Sequence, residues 1–224
     1  MQTNTKQITT LAMLAALSLI SMLLIRFPMF MPFLSYDPKD VIIVIGGFIY
    51  GPFAAMSIIV VVSIVEMITV SDTGFIGLIM NIIASTSFVI PAVLIYRKWR
   101  NLAGAISGLV VGIITVTGVM LLWNYLIVPL YMPHITRSAV AGMLVPVFLP
   151  FNLVKSSLNA SIVMMLYKPV NMALRRAGLY RPSADSASGS TIEGRTSRIN
   201  VWVLLVSALA VIALIIIMFT RGAV

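Results

Sequence analysis

Pro150-Phe151-Asn152-Leu153-Val154-Lys155-Ser156-Ser157-Leu158-Asn159 opens an apolar segment that runs to about Tyr167, long enough to cross a bilayer once. Asn152, Lys155, Ser156 and Asn159 fall at i, i+3, i+4 and i+7, so a helix carries all four on one face. A lysine and two carboxamides inside a spanning helix are unfavourable unless they meet a partner, a water-filled cavity or a ligand. Two plainer readings exist: glue between helices, or Lys155 snorkelling to the nearer interface. Intramembrane ionisable groups favour the ligand-facing reading.

The rest of the chain fits a membrane setting. Of its 224 residues, 60% are hydrophobic and 9% charged, and the mean hydropathy is +1.09. That is too apolar for a soluble domain and fits a polytopic all-α membrane protein. The apolar runs are continuous, unlike the alternating strands of a membrane barrel. There is no cysteine, which excludes disulfides, thiolate metal sites and cysteine nucleophiles. The net charge of +9 reflects basic loops that can lie on the cytoplasmic side, not nucleic-acid binding. The first apolar segment lacks a small-residue cleavage site and is expected to stay as an anchor.

Thr9 to Ile25 reads as the first span, with Ala12 and Ala16 as a small-xxx-small pair that offers a flat strip to another helix. Residues 26–40 hold three prolines and four aromatics, which predicts an irregular amphipathic loop at a cavity mouth or an interfacial belt. Val41 to Tyr50 is short and apolar, with a break expected at Gly46-Gly47; close helix packing explains those glycines equally well. Ala54 to Val70 is the third span, with Glu66 near its end, and a tight turn follows at residues 71–74. Phe75 to Tyr96 is the fourth, carrying Asn81. Leu102 to Val128 is the fifth, glycine-spaced at 104, 108 and 112, with Asn124 near its end. Residues 130–149 read as a loop holding His134 and Arg137. Beyond Tyr167 the chain turns basic, then Ser/Gly-rich, and residues 200–220 form a seventh apolar run.

Three regions follow: a six-span membrane domain over 1–174, a cytoplasmic linker over 175–199 and an accessory transmembrane helix over 200–220. Lysine and arginine placement puts the N-terminus in the cytoplasm, with Arg26, Lys39 and Arg137 on the outer side. Glu66, Asn81, Asn124, Asn152 and Lys155 then share the outer half of the bundle, the pattern of a pocket open to the outside. The chemistry for catalysis is missing. His134 is the one histidine and reads as a solvated loop residue, and no metal-ligand spacing or Ser-His-Asp set can be built. No phosphate-binding loop occurs, so the chain does not hydrolyse ATP. It can bind a solute yet carries no energy source, which implies a partner.

Phe27-Pro28, the run Tyr36 to Asp40, and Gly46 to Pro52 resemble the riboflavin-specific substrate-binding (S) subunit of energy-coupling factor (ECF) transporters. So do Gly74 to Asn81, Trp123-Asn124-Tyr125 and Pro150 to Lys155. The resemblance covers roughly residues 9–174 and implies a six-helix bundle of the S-component type that captures riboflavin from outside. It implies that Asn124, Asn152 and Lys155 meet the ligand; Asn81 and Glu66 join the candidate site by their shared depth in the bundle. The loop bearing Leu34 and Tyr36 would close over the ring. It also implies that the Ala12/Ala16 strip docks on a transmembrane coupling subunit driven by two cytoplasmic ATPases. No cofactor is implied; riboflavin is the carried ligand. The seventh span and its linker lie outside the family pattern. Two alternatives stay open: the same architecture for another vitamin such as thiamine or biotin, and a membrane-embedded enzyme acting on lipid-linked substrates.

Overall fold

The computed structural model of the chain describes residues 5–176 apart from 30, 72 and 132–134. His134, the Asp72 turn position, linker residues 177–199 and the expected helix over 200–220 lie outside the described residues. In chain order the elements are α1 (Thr5–Leu24), a hairpin of β1 (Phe27–Met29) and β2 (Met31–Tyr36), α2 (Lys39–Tyr50) and α3 (Pro52–Thr69). There follow α4 (Gly74–Trp99), α5 (Leu102–Tyr131), α6 (Arg137–Met143), a π-helical turn over Leu144–Phe148 and α7 (Leu149–Arg176). Five stretches are long and apolar enough to cross a bilayer: 7–24, 52–69, 74–99, 102–130 and 137–167. The all-α membrane bundle expected from composition is therefore present, with α2 as the one element that does not match a full span.

At 12 residues, α2 is about 18 Å long, well short of a hydrocarbon core of about 30 Å. It sits inside the bundle with Val41, Ile43, Val44 and Ile45 all buried, packed on α1, α3, α4 and α7. The break expected at Gly46-Gly47 does not occur; the helix runs through both glycines. The reason is packing. A Cβ on Gly47 would run into the Val93 side chain of α4 and lie 3.1 Å from Ala55 of α3, so glycine lets three helices meet. The helix ends at Gly51, whose φ of +97° is in the region that only glycine adopts readily, and Pro52 starts α3.

Two further expectations change. Residues 26–40 are not an irregular loop: β1 and β2 pair antiparallel, Phe27 with Tyr36 and Pro28 with Ser35, with an irregularity between Pro28 and Met29. Proline is tolerated in such an isolated two-stranded ribbon because both strands are edges. α2 also begins at Lys39, so Lys39 is buried at 2% exposure instead of lying on the outer surface as a loop cation. The expected loop over 130–149 is largely helical. α6 and α7 join through the π turn, whose wider hydrogen-bond register accommodates Pro146, a residue without an amide donor.

The closest helix contact is α4 on α5. A Cβ on Gly108 would lie 2.6 Å from the carbonyl oxygen of Ala92, and one on Gly112 2.5 Å from that of Phe88. The glycine spacing in α5 thus lets two backbones touch. Gly118, on the same helix, has nothing within 4 Å of such a Cβ. Gly108→Ala is therefore expected to destabilise the bundle by about 1–3 kcal/mol through overpacking, whereas Gly118→Ala is neutral or slightly stabilising. Thermal unfolding of the two purified variants in detergent checks this; equal midpoints would contradict the packing described.

Candidate functional site

Beside the start of α2 lies a cavity of about 550 Å³. Its wall comes from the residues around the hairpin and from α2, α3, α4, α5 and α7. Of the seven residues expected at a ligand site, Glu66, Asn81, Asn124, Asn152, Lys155 and Leu34 all line this cavity. Tyr36 does not. It is 4% exposed, and its ring is drawn onto its cross-strand partner Phe27, with centroids 5.2 Å apart. Ala12 and Ala16 lie elsewhere, exposed on α1, while Ala15 between them packs into the core.

Four of the six charged wall groups are held in two ion pairs. Lys155 Nζ on α7 donates to Asp37 Oδ2 at 2.7 Å and to the Ser35 carbonyl at 3.4 Å, which ties the second hairpin strand and the turn after it to α7. Lys39 Nζ donates to Glu66 Oε2, joining the start of α2 to the C-terminal end of α3. Ser85 of α4 donates its hydroxyl to Asp40 Oδ1 at 2.6 Å. Such pairing is what a low-dielectric interior demands, because an unpaired buried charge is costly. Burial pushes the Asp37 carboxyl up, but the ammonium groups of Lys155 and Lys39 outweigh it and bring it down to about 2. The group is ionised at neutral pH. Burial, helped by the Asp37 and Asp40 charges, pushes the Tyr36 phenol up to about 12, so that ring stays neutral.

In all, the wall holds three basic residues (Arg26, Lys39, Lys155) and three acidic ones (Asp37, Asp40, Glu66), a formal charge of zero. Around these pairs stand uncharged hydrogen-bonding groups. Asn124 and Asn152 each commit an amide N–H to their own helix, to the carbonyls of Met120 and Phe148 at 2.8 Å. That leaves the carboxamide oxygen of each as an acceptor. Apolar wall comes from Leu34, Met80, Phe88, Val116, Met120 and Phe151. Leu34 also packs against the small cluster of Val128, Val140 and Phe148, so the hairpin is seated by an apolar contact as well as by Lys155. Apolar walls with a few fixed polar groups are the form that small-molecule sites take. Among the described residues no group of three or more His, Asp or Glu side chains is placed to hold a metal ion.

Asp37, Lys39, Asp40 and Ser85 were not singled out from residue chemistry alone. A signal existed. The chain has only six acidic residues, and two of them flank a lysine at the start of an apolar segment, where a solvated loop would have no need to concentrate them.

The match to the family described as "ECF transporter, substrate-specific component" covers residues 6–167. Riboflavin transporter FmnP of Bacillus subtilis (strain 168) is 28% identical over 171 residues, covering 72% of this chain and 90% of that protein. Riboflavin transporter RibU of Staphylococcus aureus (strain TCH60) is 28% identical over 184 residues, covering 79% and 95%. A solved structure of the S component of a bacterial ECF transporter superposes with a TM-score of 0.64 at 28% identity, covering 75% of this chain and 97% of that one. With most of the membrane domain matched to one family, this chain belongs to the substrate-specific components of ECF transporters, which are multi-pass transport proteins and not enzymes.

Proposed function

We propose that this chain binds riboflavin in the cavity beside α2 and is the substrate-capture subunit of an ATP-driven vitamin importer. The observation that carries the reading is the charge balance of the wall. Its formal charges sum to zero, with Lys39–Glu66 and Lys155–Asp37 paired directly, so the best ligand is a neutral molecule with many hydrogen-bonding groups. Riboflavin is one: a flat ring edged by amide-like groups, with a chain of hydroxyls. Carboxamides suit the ring edge and the hydroxyls, and Phe88, Val116, Met120 and Phe151 suit the ring face. Anionic biotin and cationic thiamine would each leave a net charge in the same wall. The relatives named as riboflavin transporters support the same choice.

In this reading Asn124, Asn152, Lys155 and Asn81 hydrogen-bond the ligand. Glu66 fixes Lys39, and the hairpin that carries Leu34 and Tyr36 closes over the bound ring. Basic residues support an N-terminus in the cytoplasm of a bacterial cell. Arg97, Lys98 and Arg100 are exposed at the end of the bundle away from the hairpin, as expected for the cytoplasmic side; the cavity then opens outward. The exposed Ala12/Ala16 strip, among exposed Met13, Leu17 and Ile20, docks on a transmembrane coupling subunit. Two cytoplasmic ATPases drive that subunit.

Two outcomes follow. Riboflavin titrated into the purified chain should lose fluorescence on binding, and Asn152→Ala with Lys155→Ala should abolish high-affinity binding. Removing Lys155 takes from the buried Asp37 its direct ion-pair partner, a destabilising change; unchanged quenching by the double variant would overturn the assignment. For the docking strip, Ala12→Leu or Ala16→Leu should impair uptake by cells while riboflavin binding by the purified variant stays unchanged. Uptake at the wild-type rate in both variants would remove α1 from the coupling interface.

A further inference from the structure

Three helices line the cavity in register. Asn81 on α4, Asn124 on α5 and Asn152 on α7 form an outer layer, and two turns further in stand Phe88, Val116 and Asn159. Seven or eight helical residues separate the layers, about 10–12 Å of depth. The inner layer is nearly dry: Phe88 is 2%, Val116 7% and Asn159 1% exposed. Its one polar member, Asn159, has a carboxamide oxygen without a hydrogen-bond partner in the protein. Neighbouring hydroxyls are already engaged, Ser156 with the Asn152 carbonyl and Ser85 with Asp40, and Phe88 and Val116 offer no side-chain donor. A buried acceptor left in this state weakens the ligand-free fold. A role as glue between helices would need the partner that is missing.

We propose that Asn159 is the floor residue of the binding site, its carboxamide oxygen accepting a hydrogen bond from a donor group of the ligand. This rests on the riboflavin reading above, and it gives a ligand contact to a residue one full turn deeper than Lys155. Riboflavin has two kinds of donor, the imide N–H of the ring and the hydroxyls of the sugar-alcohol chain. Either satisfies the geometry, and the ligand itself can report which one reaches the floor.

The test uses the purified full chain and its Asn159→Leu variant, titrated with riboflavin, with 3-methylriboflavin (no ring N–H) and with lumiflavin (no hydroxyl chain). Loss of one buried hydrogen bond should weaken riboflavin binding about tenfold in the variant. The ligand-free melting temperature should stay level or rise, because an orphaned acceptor is replaced by an apolar group. The analogue that lacks the donor reaching Asn159 should bind the wild-type chain more weakly than riboflavin does, with little further loss in the variant. Riboflavin affinity in the variant within twofold of wild type, or a clearly lowered ligand-free melting temperature, would overturn the assignment and leave Asn159 as a structural residue. Full additivity of the variant with both analogues would overturn it too. A wild-type chain that does not bind riboflavin overturns the functional reading itself, and this assignment with it.

Discussion

Lys155 and Asp37 lie 2.7 Å apart, the carboxylate buried and the ammonium partly so, and the site depends on that contact. One partner belongs to a spanning helix and the other to the turn between the hairpin and α2. Neither charge is tolerable alone in such surroundings, so each fixes the other's position, and through them the hairpin is held against α7. The Ser35 carbonyl takes a second bond from the same ammonium, and Leu34 adds an apolar seat on α5, α6 and the π turn. Lys39 with Glu66 repeats the logic one step along the chain, locking α2 to α3. Ser18 adds a neutral tie by donating its hydroxyl to the Lys39 carbonyl at 3.0 Å.

A helix of 12 residues packed on helices of 18 to 28 leaves a volume that something must fill. Here the polar run Asp37 to Asp40 at the start of α2 lines one side of the cavity while α4, α5 and α7 supply other walls. The glycines of α5 tighten the α4–α5 contact, so two of those walls hold a fixed separation. Sequence length, helix packing and cavity are thus one chain of cause. Shortening one helix makes the space, close packing of two others sets its width, and paired charges let polar groups line it without unfolding the bundle.

Much of this was legible in the sequence, for definite reasons. Spanning helices announce themselves by length and composition, and a carboxamide or lysine inside one is rare enough to mark a site. That is why Asn81, Asn124, Asn152, Lys155 and Glu66 could be expected to share one end of the bundle. The hairpin was not legible. Three prolines and four aromatics say that residues 26–40 are not helical, but strand pairing is set by what the ribbon rests on, and local residues do not encode that. Lys39 falls in the expected loop yet starts α2: a lysine between two aspartates reads as loop unless the distant Glu66 is known to meet it. Gly46 and Gly47 can break a helix or let helices meet, and only the position of Val93 on another helix decides. Tyr36 shows the same limit at one side chain, since its ring went to Phe27 and not to the cavity.

Hydrogen–deuterium exchange at the hairpin amides is the most direct measurement on the account as a whole. If the hairpin is a flap pinned by Lys155 over a ligand cavity, saturating riboflavin should slow exchange across residues 27–37 of the purified chain. Exchange at the turn between α4 and α5 (residues 99–102), which lines no part of the cavity, should stay as it was. Riboflavin bound at full occupancy with hairpin exchange unchanged would contradict the account, because the ligand would then be held somewhere other than beneath the element that α7 ties down.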